Sequence, residues 1–189
     1  MSSSTLCSLL VTLCLILIFQ APLPTKASRS HVHHRLLGVG HDLIDQVCHE
    51  LVDYYSMCQK ALREDSKIVH AKNFTELSVA ILKLGLKRGA EGQIFLRGLA
   101  NKIHVPAIED CATTYYDAVI SAFNTSLSLM KSDLMSANYQ AKTAGDGANY
   151  CDQASAAVHI RNPKIFYLNR QITMLSFSAF SAIVKIGKQ

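Results

Sequence analysis

The chain has 189 residues, of which 49% are hydrophobic, and it contains no Trp, 4 Pro and 9 Gly. This length suits one domain with a sizeable core, and the scarcity of Gly and Pro argues against an all-β protein, which needs frequent turns. The formal net charge of +5 is too small and too diffuse to indicate nucleic-acid binding. It is typical of an ordinary protein surface, with an acidic partner surface or an acidic polysaccharide matrix as the alternative.

The first part of the chain is predicted to be a targeting segment. The uncharged, mostly apolar run Leu6–Phe19 is shorter than the roughly 20 residues of a membrane-spanning helix but suits a signal-peptide core. Small residues follow within Thr25–Ala27, which predicts a signal peptide over residues 1–27. Residues 1–5 contain no Lys or Arg, so an uncleaved anchor is the alternative. Residues 28–40 are predicted to be a flexible tail.

Two short helical stretches are predicted next, on either side of Leu51–Tyr55, and a long helix follows over Asn73–Lys102. Apolar residues recur in the long helix in steps of three and four, which defines one helix face. This predicted inner face contains Leu77, Ala80, Ile81, Leu84, Ile94, Phe95 and Leu99. Four glycines in the same segment predict a weak or bent helix, because each costs about 1 kcal/mol relative to Ala.

The next two helices are predicted to form a hairpin. One begins at Pro106, a favourable first-turn residue, and its predicted inner face contains Ile108, Cys111, Ala112, Tyr115, Ala118, Val119, Ala122, Phe123 and Leu127. The other follows a turn at Lys131, with Ser132 as the predicted N-cap, and ends near Cys151. Its predicted inner face is mostly small and contains Leu134, Ala137, Ala141, Ala144, Gly145 and Ala148.

A last amphipathic helix is predicted over Pro163–Lys185, with Asn162 as its N-cap. Four long amphipathic helices with short connections predict an all-α fold, an antiparallel four-helix bundle. The short N-terminal helical hairpin precedes this bundle. Together they form one predicted domain over residues 41–187.

Six cysteines are present, and the two that precede residue 28 lie in the predicted signal peptide. The four others are Cys48, Cys58, Cys111 and Cys151. An even number in a secreted chain predicts two disulfides, with three possible pairings. Lys131 lies midway between Cys111 and Cys151, so two helices folded back at that turn bring these cysteines level. The spacing therefore favours a 111–151 bridge and, by the same argument, a local 48–58 bridge.

We find no catalytic, cofactor or metal site in the sequence. His49-Glu50 begins like the zinc motif H-E-x-x-H, but Asp53 occupies the position of the second His. A histidine cluster within residues 31–34 lies in the predicted tail, and we assign it no functional metal. Nucleophile-elbow, phosphate-loop and dinucleotide motifs are missing. The prediction is a protein that is not an enzyme and has no cofactor.

Two surface features have candidate roles. Four basic residues recur along the long helix, at Lys83, Lys87, Arg88 and Arg97. We interpret them as a solvated face, with a docking surface for an acidic partner as the alternative. Two N-glycosylation sequons begin at Asn73 and Asn124, and both asparagines are predicted to be exposed.

The order of these features resembles the plant invertase and pectin methylesterase inhibitor family over residues 41–187. The resemblance rests on the signal peptide, the order of the four cysteines and a segment in which Cys111, Tyr115 and Ala118 match the family's C-x-x-x-Y-x-x-A helix. Ser136-Ala137-Asn138 and the stretch Ser178–Ile183 also resemble its later helices.

The resemblance implies a four-helix bundle with first-to-second and third-to-fourth disulfides. It also implies a secreted, non-catalytic protein that binds a cell-wall or vacuolar carbohydrate-active enzyme one-to-one and blocks its substrate cleft. Its expected location is the apoplast, with the vacuole as an alternative. We assign the contact with the target to the hairpin tip and the flanking helix faces; the tip residues are Lys131, Ser132, Asp133 and Leu134.

Two features bear on which enzyme is the target. Invertase inhibitors carry Pro-Lys-Phe at the tip, which this chain lacks, whereas the absence of Trp and the stretch Ala141–Asp146 are more similar to the invertase branch. We favour pectin methylesterase, the target of the larger branch, with acid invertase as the alternative. A secreted signalling or structural helical protein without an enzyme target is the second alternative, because a fold does not fix a function.

Overall fold

The structure is a computed structural model that describes residues 42–187, and this part of the chain is all-helical. The predicted signal peptide (residues 1–27) and the whole predicted tail (residues 28–40), with its histidine cluster at 31–34, lie outside the described residues. The helices are α1 (Leu43–Cys48), α2 (Tyr55–Arg63), α3 (Ser66–Val69), α4 (Phe74–Ile103), α5 (Pro106–Asp110), α6 (Tyr116–Leu129), α7 (Leu134–Ala157) and α8 (Pro163–Ile186). A 3-10 turn (Val52–Tyr54) precedes α2, and a π-helical segment (Cys111–Tyr115) joins α5 to α6.

The predicted fold is confirmed. α4, the α5–α6 stretch, α7 and α8 run up and down as four long helices, and α1 and α2 form a short hairpin that packs on α8. From residue 42 to residue 187, none of the helices has the length and apolar character required to span a bilayer.

Side-chain caps set the starts of the long helices. Asn73 Oδ1 accepts the backbone N–H of Glu76 at 2.9 Å, and the Glu76 carboxylate accepts the N–H of Lys72, which resembles a capping box. Asn162 caps α8 as predicted, with Pro163 in its first turn. α7 continues to Ala157, six residues beyond the predicted end near Cys151.

The glycines of α4 are sites of close helix contact. α4 is one continuous helix of 30 residues, so the predicted weakness does not interrupt it. A Cβ atom at Gly85 would lie 2.6 Å from the Phe123 ring, and one at Gly92 would lie 2.5 Å from the Tyr116 ring. Both distances are far below van der Waals contact, so α6 can approach α4 this closely only because the side chains are absent.

The predicted inner faces needed four corrections, one of which is that Ala118 is exposed. Ile94 is 70% exposed and Leu134 is 37% exposed, because each lies off the face that its helix buries. In the hairpin helix, Tyr116 is fully buried whereas Tyr115 is only half-buried. The π-helical segment over Cys111–Tyr115 widens one turn by a residue, and this shifts the buried aromatic position from 115 to 116.

Two disulfides close the two hairpins. Cys48 and Cys58 are bonded with their Cα atoms 5.6 Å apart, and Cys111 and Cys151 with theirs 4.9 Å apart. All four residues are buried. By the chain-entropy model, the larger loop contributes about 4 kcal/mol of stability and the smaller about 3 kcal/mol.

We expect substitution of Gly92 by Ala to lower the free energy of unfolding by about 1–3 kcal/mol, because the new methyl group overpacks against Tyr116. Gly98, on the same helix, provides the matched control, since a Cβ there would meet no atom within 4 Å. Gly98→Ala should raise stability by about 0.5–1 kcal/mol through helix propensity. Urea unfolding measures both variants, and equal effects would contradict the packing argument.

Candidate functional site

The turn between α6 and α7 brings the four predicted contact residues together at one end of the bundle. The Leu129 carbonyl accepts the backbone N–H groups of Ser132 at 3.1 Å and Asp133 at 2.9 Å, which holds the turn in one shape. Lys131, Ser132, Asp133 and Leu134 are all exposed. We call these four residues the hairpin tip. It presents one cation, one anion, one hydroxyl group and one apolar side chain to solvent.

The N-cap of α7 is Asp133, whereas the sequence analysis predicted Ser132. Asp133 Oδ1 accepts the backbone N–H of Ser136 at 3.0 Å, and its Oδ2 accepts the Ser136 hydroxyl at 2.6 Å. These bonds from the Ser136 side chain and backbone hold the pKa of Asp133 below its ordinary value. Asp133 therefore has a structural role in addition to its place at the tip.

Apolar surface continues from the tip onto α7. Met135 is 83% exposed, and together with Leu134 it borders a hollow of about 210 Å³ against the end of α8 at Ile183 and Val184. Sequence reasoning missed Met135, although a Met directly after the predicted turn could have suggested it. Exposed Met and aromatic side chains are enriched in protein–protein interfaces.

A groove between α6 and α7 extends away from the tip. It has a volume of about 460 Å³, and its walls include Tyr115, Tyr150 and the small residues Ala118 and Ser121. The two tyrosine rings lie 5.9 Å apart at 43°. At its floor, a Cβ atom on Gly147 would lie 2.4 Å from the Tyr115 carbonyl oxygen, so only glycine lets the two helices meet there.

An exposed stripe along α7 connects the tip to this groove. Met135, Tyr139, Asp146 and Tyr150 are all exposed, and their spacing places them on one face of the helix. Sequence reasoning concentrated on the buried small residues of α7 and did not identify this outer stripe. The recurrence of Tyr at helical spacing is the pattern that could have revealed it.

The residues of the incomplete zinc motif have structural contacts. The Glu50 carboxylate accepts the Ser181 hydroxyl and the Lys185 ammonium, each at 2.5 Å, and so joins the N-terminal hairpin to α8. The His49 ring makes an edge contact with Tyr55 at a centroid distance of 6.4 Å. Within 42–187, no group of three or more His, Cys, Asp or Glu side chains is arranged to hold a metal ion.

The predicted basic stripe of α4 divides into separate contacts. Lys87 and Arg88 both pair with Glu91, at 3.9 and 2.9 Å, and Arg97 pairs with Asp117 of α6 at 3.7 Å. Exposed pairs of this kind contribute little stability. The arrangement supports the interpretation as a solvated face.

The two sequons lie in different environments. Asn124 is exposed on α6, whereas Asn73 is half-buried and caps α4. The hydroxyl residue of the second sequon, Ser126, is buried and donates a hydrogen bond to the Ala137 carbonyl of α7 at 2.7 Å. Occupancy of both sequons stays a prediction.

A buried polar chain crosses the bundle at the end opposite the tip. The Tyr116 hydroxyl donates to Asn169 Oδ1 at 2.8 Å, and Asn169 Nδ2 donates to Asp152 Oδ1 at 2.6 Å. Burial raises the pKa of the Tyr116 phenol and, in spite of the hydrogen bond from Asn169, the pKa of Asp152 as well. Asp152 therefore holds its proton more tightly in the folded protein than in the unfolded chain.

We expect the Asp152 carboxyl to lower the free energy of unfolding as the pH increases above 3.8, the ordinary pKa of this group. The folded state binds more protons in this window than the unfolded state, so the free energy of unfolding decreases with pH. Asp152→Asn keeps an acceptor for Asn169 and removes the titration, so it should flatten this dependence. Urea unfolding between pH 4 and 7 measures the effect, with exposed Asp53→Asn as the control. An identical pH dependence in wild type and Asp152→Asn would contradict the assignment.

Comparisons with known proteins give a family and a fold. Residues 42–178 match the family model described as plant invertase/pectin methylesterase inhibitor. A solved mutant form of a pectin methylesterase inhibitor from Arabidopsis has a TM-score of 0.63 at 19% identity, covering 72% of this chain and 95% of its own. A second pectin methylesterase inhibitor structure, from Arabidopsis thaliana, has a TM-score of 0.56 at 17% identity and covers 77% and 96%. No match was found among curated proteins.

Proposed function

The chain belongs to the plant invertase/pectin methylesterase inhibitor family, and we propose from this that it is a secreted, non-catalytic inhibitor of a plant cell-wall enzyme. The observation that carries the proposal is the family match over nearly the whole described domain, residues 42–178. The inhibitor binds its target one-to-one and blocks the substrate cleft. Its location is the apoplast, with the vacuole as the alternative.

Pectin methylesterase is the proposed target. The two similar solved structures are pectin methylesterase inhibitors, and the hairpin tip lacks the Pro-Lys-Phe tripeptide of invertase inhibitors. Acid invertase is the second candidate, because the stretch Ala141–Asp146 and the absence of Trp are more similar to that branch.

The proposed contact surface consists of the hairpin tip and the exposed stripe of α7. The tip offers a cation at Lys131, and the stripe offers large side chains at Met135, Tyr139 and Tyr150. Such side chains supply much of the binding energy in protein interfaces. The tip is held by backbone hydrogen bonds, and the Cys111–Cys151 disulfide closes the far end of the hairpin. A surface fixed before binding loses little conformational entropy in the complex.

We expect the double variant Lys131→Ala/Asp133→Asn to weaken inhibition at least about tenfold, or about 1.4 kcal/mol. Asn is chosen at position 133 because it retains the side-chain oxygen that caps α7 while removing the charge. Thermal stability should then stay close to wild type. The measurement is a titration of pectin methylesterase and, separately, acid invertase activity with the oxidised protein lacking residues 1–27.

The control is the double variant Lys60→Ala/Glu64→Gln, which removes one positive and one negative charge away from the tip. Lys60 lies on α2 and Glu64 directly follows it. This variant should inhibit as strongly as wild type. Equal inhibition by the tip variant and this control would show that the tip is not the contact. Failure of the folded wild-type protein to inhibit either enzyme would favour the secreted signalling or structural alternative.

A further inference from the structure

A cavity lies far from the hairpin tip, at the corner where α7 passes into α8. It has a volume of about 580 Å³, within the roughly 300–1,000 Å³ typical of small-molecule sites. α7 has 24 residues, so at about 1.5 Å per residue this corner pocket is separated from the tip by about 36 Å. A ligand here would not compete with a protein bound at the tip.

One wall of the corner pocket is apolar. It is formed by Ile160, Pro163 and the exposed ring of Phe166. The Arg170 guanidinium lies 5.6 Å from the centroid of this ring and 4.7 Å from that of Tyr54. A flat group with C–H bonds on its face can therefore pack on Phe166 beside a positive charge.

The corner pocket is also lined by polar side chains, some of which have free hydrogen-bonding groups. Among the described residues, the Arg161 and His159 side chains make no hydrogen bond or ion pair, and both line the pocket. Asp152 uses Oδ1 to accept from the fully buried Asn169, which fixes the orientation of its carboxylate. Its Oδ2 atom has no hydrogen-bond partner in the described part of the chain.

His159 occupies a backbone position that normally favours glycine. Its φ is 56°, and the bonds from His159 N to Ala156 O and from Ile160 N to Ser155 O form a Schellman cap at the end of α7. A non-glycine residue in this left-handed conformation costs stability. The His159 imidazole therefore lies beside the pocket although glycine at this position would make the cap of α7 more stable.

We propose that the corner pocket binds a short oligosaccharide of uronic acids. Arg161 pairs with a sugar carboxylate, and the fixed Asp152 accepts sugar hydroxyl groups. The His159 imidazole forms a further hydrogen bond with a sugar hydroxyl, and the apolar face of a sugar ring packs on Phe166. A purely apolar ligand would desolvate Arg161 and Asp152 without compensation, and a neutral sugar would leave Arg161 unpaired. The inference does not depend on inhibition of any enzyme, since the pocket and the tip are at opposite ends.

The test is calorimetric titration of the oxidised protein lacking residues 1–27 with trigalacturonate. Three comparison ligands separate the chemistries: the fully methyl-esterified trigalacturonate, the neutral maltotriose, and ferulate, an aromatic acid. We expect trigalacturonate to bind at least tenfold more tightly than each of the others. No binding at millimolar concentration, equal binding of the methyl ester, or tighter binding of ferulate would overturn the proposal.

Three variants locate the binding. Arg161→Gln should weaken trigalacturonate binding at least tenfold, whereas Lys83→Gln, which removes an exposed charge from α4 near the other end, should not. His159→Gly should weaken binding while raising the melting temperature, because glycine suits the left-handed cap. This variant separates loss of the site from loss of the fold. Equal affinities of Arg161→Gln and Lys83→Gln would show that the corner pocket is not the site.

Discussion

The close approach of α4 to α6 is the constraint on which the rest of the structure depends. Gly85 and Gly92 leave no side chain where the rings of Phe123 and Tyr116 come to rest. Both rings are fully buried against bare helix backbone, where aromatic side chains contribute a large buried area. The position of Tyr116 in turn fixes Asn169 and, through it, Asp152. Core packing thus determines the orientation of a carboxylate at the edge of a surface pocket.

The contact between α7 and α8 also depends on small residues, but here they make room for a hydroxyl group. Ala137, Ala141 and Ala144 of α7 are fully buried, and the Ser176 hydroxyl of α8 donates to the Ala141 carbonyl at 2.7 Å and accepts the Gly145 N–H at 3.0 Å. Helices this close have room for hydroxyl groups but not for large side chains. The large residues of α7 are therefore on its outer face, where they are available to a partner.

The sequence was sufficient to predict the four helices, the cap at Asn162, the two disulfides and the family. These features depend on local periodicity and spacing, which a single chain displays directly. It was insufficient where one element changes the register or environment of another. The π-helical segment moved the buried ring from Tyr115 to Tyr116, and the glycines of α4, read as weakness, proved to be contact points.

The candidate site was predictable to the same extent. The turn at Lys131 follows from the helix pattern, and the structure brings the four tip residues together. The tyrosines of α7 and the corner pocket were not predicted, because an exposed aromatic residue and a loop cavity are defined only by what neighbouring helices leave uncovered. Surface chemistry of this kind depends on non-local packing. The helical spacing of the α7 tyrosines could place them on one face, but it could not show that no other helix covers that face.

The hydrogen bond from Ser126 to Ala137 has a consequence for the biosynthesis of this chain. A glycan-transferring enzyme recognises the hydroxyl residue of a sequon together with its asparagine, yet Ser126 is fully enclosed once α6 and α7 have packed. Any sugar on Asn124 must therefore be attached while the hairpin is still open. The fraction of molecules glycosylated at Asn124 would therefore depend on how long the nascent chain remains unfolded before α6 packs against α7.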